Sequence, residues 1–458
     1  MKLRSLVARA ASLLLVSSAA ALANGRFPAT NQMIARPGHP EQLALRTTFG
    51  LLRSDDAGAH WDWVCEEAVG YSGVVDPPLA WHRDGVLVAG LFDGLARTNE
   101  PACSWSRDAA IGKQVVVDVS AANAEATRLE ALTGSYDPQS APGQPRYVSA
   151  IWTSSADART WVQSSSLLPN DVIVESFDRA ASDAQRVYVT GESEAGGTRT
   201  GVFFRSRDGG QTWDRKAFPF ETNGERALFL AAIDPLRADR LYVRTSGAES
   251  GRVLVSDDAG ETFRVVWSGA NPQGFALSPD GARVWVGSFR DGLARASTSD
   301  FAFTTVNRTP IGCLHAAGTA LFACSLDAYG FAAARSDDGG QTFVPLVKLP
   351  EIRGPRACSG TGDAGVNVCL ASWPVVKATI GIVDEADAGP VPVFDAGTVP
   401  PAPDTKSSCG CALVGATQRD HGLWIAGAAS IALVLVRHRR TARRGPNART
   451  PRSGGRRS

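Results

Sequence analysis

The chain has 458 residues, 44% of them hydrophobic, with 11 Trp, 18 Phe and only two Met. A large core can therefore be buried, and abundant Gly favours many short strands and tight turns over long helices. The net charge of +1 hides an asymmetry: residues 1–23 hold three Lys/Arg and residues 437–458 hold nine, with no acidic residue in either, which leaves 35 basic against 46 acidic side chains between them. A body near −11 excludes nucleic acid as the main partner, because phosphate contacts need a basic face.

The first element is a secretory signal. Lys2, Arg4 and Arg9 precede an apolar stretch, and Ala21-Leu22-Ala23 supplies the small-x-small cleavage pattern, so residues 1–23 are expected to be removed.

From residue 24 onward the chain repeats. Four octapeptides share Ser-x-Asp-x-Gly-x-x-aromatic: Ser54, Asp56, Gly58, Trp61; Ser206, Asp208, Gly210, Trp213; Ser256, Asp258, Gly260, Phe263; and Ser336, Asp338, Gly340, Phe343. Weaker copies at 98–105, 154–161 and 296–303 fill the gaps, so successive boxes are 40 to 56 residues apart. Ahead of each box comes an apolar, β-branched or aromatic strand: residues 43–47, 86–90, 146–150, 187–191, 241–245, 284–288 and 321–325. One unit thus reads as strand, turn, strand, link, strand, box turn, strand. Within the box, Asp and Ser hold a tight turn through backbone N–H groups and Gly permits a positive φ. The closing aromatic packs back on the sheet.

These boxes resemble the BNR or Asp-box repeat of sialidases, sortilin-type receptors and photosystem-II-stability-factor-like propellers. The resemblance implies a fold: all-β, a seven-bladed β-propeller of four-stranded antiparallel blades over residues 24–350. It does not imply an activity, because the box is structural. A sialidase-type hydrolase would need an Arg cluster, a Tyr–Glu pair and a Phe-Arg-Ile-Pro motif before the first box. The nearest string here is Gly25-Arg26-Phe27-Pro28. Tyr71, close to Glu66 and Glu67, is the one suggestive tyrosine, whereas Arg53, Arg97, Arg205 and Arg335 recur with the repeat and read as structural. The six histidines have no metal-ligand spacing, and neither a nucleophile elbow nor a phosphate loop occurs. No catalytic residue, metal or cofactor is assigned.

Eight cysteines in an exported chain point to disulfides. Local spacing favours Cys313–Cys324 in the last blade and Cys358–Cys369 in a small cap over residues 351–383, leaving Cys65–Cys103 between the first two blades; six cysteines allow 15 pairings.

Residues 384–408 form a stalk rich in Pro, Ala and Asp, expected to be extended and unpacked. Residues 409–444 contain Cys409-Gly410-Cys411, the apolar run 422–436 and an Arg cluster from Arg437 to Arg444; residues 445–458 are a basic tail. The apolar run has 15 residues, short of the ~20 of a comfortable span, and the basic cluster holds its end in the cytoplasm. Stalk, Cys-Gly-Cys, short transmembrane or sorting helix and Arg cluster resemble the MYXO-CTERM sorting domain of myxobacterial surface proteins. That resemblance implies cleavage by a sorting protease near Cys409 or Cys411, lipid-type attachment there, and residence at the bacterial cell surface or outer membrane. The expected function is a surface-anchored, non-catalytic propeller that binds a protein or glycan or assists envelope assembly, with its ligand face at the longer loops 135–145, 192–200 and 220–226. The alternative is a sialidase-like exo-glycoside hydrolase.

Overall fold

Every strand finds its partner in the strand next to it in sequence. In the computed structural model, which describes residues 27–382 apart from 99–101, 124, 142–143, 195–197, 222–223, 248 and 359–363, consecutive strands pair into seven four-stranded antiparallel sheets. The blades span residues 30–64, 79–107, 116–163, 173–218, 225–269, 274–307 and 313–347. The first strand of each blade lies against the first strand of the next, and that of blade 7 (Cys313–Ala317) lies against that of blade 1 (Thr30–Arg36). The chain is therefore a closed seven-bladed β-propeller with the first strands around the central channel. The stalk, the motif Cys409, Gly410, Cys411 and the apolar run 422–436 lie outside the described residues. Among the described residues, no helix is long and apolar enough to cross a membrane.

Alternation along each strand sends neighbouring side chains to opposite faces, and both faces are buried between blades. In the second strand of blade 1, Leu43 and Leu45 pack toward blade 7 while Ala44 packs toward blade 2. The buried apolar side chains gather in seven clusters, one at each junction of adjacent blades. The aromatic that ends each box enters the junction with the preceding blade: Trp61, Trp105, Trp161, Trp213, Phe263, Phe303 and Phe343. Trp61 also donates its indole N–H to Leu346 O of blade 7 at 3.0 Å. The aromatic thus glues one blade to another.

All seven boxes connect the third strand of a blade to its outer strand. In the box of blade 5, Ser256 Oγ donates to Asp258 Oδ1 at 2.8 Å and accepts the Gly260 N–H at 2.7 Å. Asp258 in turn accepts the N–H and hydroxyl of Thr262, at 2.8 and 2.6 Å. The boxes beginning at Ser206 and Ser336 repeat this pattern, and in the first box His60 takes the place of Thr. Hydrogen bonds from the Thr212 hydroxyl and N–H and from Ser206 hold the Asp208 carboxyl down at about 2.

The residue before the box glycine is left-handed as well, with φ of 59° at Ala57 and 58° at Ala259, against 74° at Gly209 and Gly339. Alanine there carries a strain of about 1–2 kcal/mol that glycine lacks, partly offset by the greater freedom of glycine in the unfolded chain. At Ala57, which is exposed and has no buried methyl to lose, Ala57→Gly should therefore stabilise the fold by about 0.5–1 kcal/mol in chemical denaturation.

Two sequence expectations change. In blade 3 the strand ahead of the box role belongs to Leu129–Tyr136, and the segment 146–150 opens the third strand, Tyr147–Ser154, which runs into the box itself. The long hairpin between those strands displaced the spacing. Of the disulfides, Cys313–Cys324 forms within one hairpin, but the other two bonds are Cys65–Cys369 and Cys103–Cys358, in place of Cys65–Cys103 and Cys358–Cys369. The reason is the path of the chain: after blade 7 it crosses back to blades 1 and 2, bringing Cα atoms 304 and 255 residues apart to 5.3 and 5.8 Å. Three disulfides indicate an extracellular or otherwise oxidising environment.

Beyond blade 7, Arg353–Arg356 runs parallel to the outer strand of blade 1, with Trp63 N–H donating to Gly354 O at 2.7 Å and Arg356 N–H to Trp63 O at 2.8 Å. A helix, Ala364–Thr379, follows and sets Trp373 against Trp63 with ring centroids 5.5 Å apart.

Candidate functional site

Antiparallel connections alternate between the two faces of the ring. Since the boxes join third to fourth strands, the hairpins between second and third strands and the links between blades all emerge on the opposite face. The three long loops occupy that face on adjacent blades. Loop 135–145 is the second-to-third hairpin of blade 3, loop 192–200 that of blade 4, and loop 220–226 the link from blade 4 to blade 5. Two of the loops are joined to their surroundings: the Ser193 hydroxyl donates to Asp171 Oδ2 at 3.4 Å, and Glu221 pairs with Arg252 of blade 5 at 2.7 Å. Tyr136, half exposed, meets Tyr147 edge-on with ring centroids 6.2 Å apart.

Beneath these loops lies a group of ionisable side chains. Glu175 belongs to the channel-lining strand Ile173–Arg179 and falls in a bulge, between the register pairs Val174↔Gly191 and Ser176↔Thr190. Such a bulge re-aims the side chain it carries. No hydrogen bond from the described residues reaches the Glu175 carboxyl. Burial pushes it up to about 8, reinforced by the like charge of Glu192 and opposed by Arg199 and Arg244. Glu192, itself buried and raised by desolvation, is 3.4 Å from Arg199, which also holds Glu194 at 2.7 Å. Arg244 stacks 4.3 Å over the Phe229 ring, donates to Pro272 O at 3.3 Å, and is held down at about 10 by burial, with Glu175 opposing. Burial first, then Glu194, Tyr136 and Glu192, raise the Tyr147 phenol.

Two more carboxyls stand on the channel strands. Asp118 of blade 3 accepts the Phe177 N–H of blade 4 at 3.1 Å, yet burial pushes it up to about 7. Burial, then the charges of Asp118 and Glu130, likewise raise Asp178 to about 7. Glu130 differs: Arg179 clamps both its oxygens at 2.7–3.0 Å across the blade 3–4 junction. The channel wall of blades 3 and 4 therefore carries carboxyls that keep their protons well above the usual carboxylate range. A neutral carboxyl donates a hydrogen bond, whereas the ion pair Arg199–Glu194 presents full charges, so the sector offers both kinds of contact to a polar ligand.

On the box face, a cavity of about 420 Å³ is lined by Asp183, Arg186, Arg237, Asp239, Arg240 and Asp257. Its arginines are already paired, Arg186 with Asp239 at 2.8 Å, Arg237 with Asp234 at 2.6 Å and Arg240 with Asp257 at 2.9 Å. A depression of about 380 Å³ over blades 5–7 is lined by Ile233, Phe275, Leu277, Ser278, Leu314 and His315, the last held down at about 4 by burial. Among the described residues, no group of three or more His, Cys, Asp or Glu side chains is placed to hold a metal ion.

Of the residues weighed from sequence, Tyr71 is buried between blades 1 and 2 beside the short helix Glu66–Val69, away from the channel carboxyls of blades 3 and 4. Two of the arginines before the boxes join blades: Arg53 stacks 4.5 Å over Trp81 of blade 2, and Arg205 donates to Ala259 O and Glu261 of blade 5 at 3.0 and 2.6 Å, whereas Arg335 pairs with Asp337 of its own box at 2.8 Å. Glu175, Glu192 and Arg244 carried no motif in the sequence. The strands of Glu175 and Arg244 hold other charged residues too, Asp178 and Arg179 beside Glu175 and Arg237, Asp239 and Arg240 beside Arg244, so no local signal singled them out.

No family model matches the chain, and no curated protein matches it. Among solved structures it is similar to a GH74 enzyme of Niastella koreensis (13% identity, TM-score 0.31, 68% of this chain and 62% of that one). A GH74 xyloglucanase from Xanthomonas campestris is also similar (15%, 0.34, 72% and 66%), as is Kuenenia stuttgartiensis hydrazine synthase (12%, 0.47, 70% and 99%). The chain spans slightly less than two thirds of the two GH74 chains, and at these identities the likeness is one of fold.

Proposed function

We propose that this chain is a binding or envelope-assembly module, anchored at the bacterial cell surface through its C-terminal sorting segment, that engages a protein or glycan with the loop face of blades 3–5. The observation that supports this reading most directly is the convergence of loops 135–145, 192–200 and 220–226 on one sector of one face. Exposed Tyr136 and partly exposed Tyr147 give that sector amphipathic anchors of the type that dominates binding energy. Export and attachment follow from the signal at 1–23 and from Cys409 or Cys411 beside the apolar run.

A glycan array and an immobilised envelope fraction test the reading with the purified chain. Tyr136→Ala with Tyr147→Ala should weaken capture by about tenfold or more, the loss of one modest hot spot. Unchanged capture by this variant, together with loss of capture on substituting Arg237 on the opposite face, would move the site elsewhere. One observation favours the hydrolase alternative: a carboxyl held near 8, as at Glu175, suits a general acid. Turnover of chromogenic glycosides that vanishes in Glu175→Gln would establish that alternative.

A further inference from the structure

At six junctions the backbone itself passes from one blade to the next. The seam between blades 7 and 1 has no such passage, and no strand is exchanged across it, since each blade is built from four consecutive strands. Among the described residues, what crosses the seam is the segment 353–358 and 364–382. It adds a parallel edge to the outer strand of blade 1. Its arginines pair with blade 1, Arg353 with Asp62 at 2.8 Å and Arg356 with Asp55 at 2.6 Å. It also contributes Cys369, Trp373, Val376 and Ile380 to the seam's apolar cluster. Two disulfides then rivet it, one to each of blades 1 and 2.

The two rivets differ in access. Cys65 and Cys369 are 0% and 2% exposed, with the Cys65 N–H donating to Cys369 Sγ at 3.1 Å, whereas Cys103 and Cys358 are partly open to solvent. Thiol–disulfide exchange needs a thiolate to reach one sulfur in line with the bond, so burial sets the order of attack.

We propose that residues 353–358 and 364–382 are a redox-gated clasp, in which the accessible Cys103–Cys358 bond must be reduced before the buried Cys65–Cys369 bond, and loss of both opens the seam. In each step one sulfur of a dithiol attacks the protein bond to give a mixed disulfide and one cysteine thiol. Its second sulfur then releases the other cysteine thiol and closes a cyclic disulfide, so two electrons pass from the dithiol to the protein bond. Cys313–Cys324 spans a single hairpin of blade 7 and takes no part in the gate.

Graded dithiothreitol treatment of the full chain, followed by alkylation, peptide mapping and hydrogen exchange, tests this. Alkylation at Cys103 and Cys358 should precede that at Cys65 and Cys369 by about tenfold in rate. Amides of blades 1 and 7 should lose protection only with the second event, while those of blades 3–5 stay protected. In Cys103→Ser with Cys358→Ser, the Cys65–Cys369 bond should be reduced about tenfold faster than in the parent. Simultaneous or reversed reduction overturns the gate. Full protection of blades 1 and 7 after both bonds are reduced overturns the clasp. A Cys313→Ser, Cys324→Ser variant that shows the same order and the same seam opening as the parent supports both; one in which the seam opens without reduction of the other bonds removes them.

Discussion

Raising the pH from 5 to 8 should destabilise the propeller, and Glu175→Gln should remove part of that loss. Asp118 and Asp178 are pushed up to about 7 and Glu175 to about 8 in the folded chain, each because burial disfavours the charged form. In the unfolded chain all three titrate near the ordinary carboxyl range. Between the two ranges the folded state holds protons that the unfolded state has released, so stability falls as pH rises. The loss begins above about pH 4 and is complete only past the folded values. The box aspartates act with the opposite sign. Asp208, held at about 2, contributes stability that is present above the ordinary Asp range and fades as the pH drops toward 2. The combined profile peaks in the mildly acidic range. Denaturation midpoints at pH 5, 6.5 and 8 measure it. Glu175→Gln, whose carboxyl accepts no hydrogen bond from the described residues that the amide would forfeit, should flatten the slope by roughly a third. A flat profile in the parent chain would contradict the burial of these three groups.

What could be read beforehand was whatever is local. A box is eight residues whose hydrogen bonds close on themselves, as between Ser256, Asp258, Gly260 and Thr262, and the strand before it declares itself by apolar alternation. Blade count and the turn position of each box follow from that. What failed is whatever depends on the ring closing. Cys358 and Cys369 are close in sequence, and a spacing argument pairs them; only the return of the chain over the seam shows that their partners are Cys103 and Cys65. Blade 3 misled for a related reason, because its long second-to-third hairpin places Tyr147–Ser154 where a second strand was expected. Glu175 was invisible for a third reason. Its surroundings come from Glu192 and Arg199 of its own blade and Arg244 of the next, and no motif joins those positions. The loop sector, in contrast, was legible from loop length alone, though not the fact that all three loops share a face.

The box glycine shows how a local rule and a ring-level constraint can meet at one atom, and Gly260→Ala measures both. Its φ of +81° already disfavours a side chain, which costs about 1–2 kcal/mol. In addition, a Cβ there would stand 2.1 Å from Cε1 and 2.5 Å from Cζ of Phe203, a ring of the preceding blade. That ring has little room to retreat: it is buried, stacked on Tyr188 at 5.7 Å and met edge-on by Phe263 at 5.3 Å. Forcing one extra carbon into such a layer adds about 1–3 kcal/mol. Gly260→Ala should therefore destabilise by about 2–5 kcal/mol in urea denaturation. Gly318 is the control, with φ of +57° and nothing within 4 Å of a Cβ, so Gly318→Ala should cost only the backbone part, about 1–2 kcal/mol. The ring-level part can be isolated by a double-mutant cycle. Phe203→Leu alone opens a gap, but combined with Gly260→Ala it removes the clash, so the two changes should be less than additive by 1 kcal/mol or about that. Equal costs at Gly260 and Gly318, with strict additivity to Phe203→Leu, would mean that the glycine serves the turn alone and that the junction of blades 4 and 5 does not depend on it.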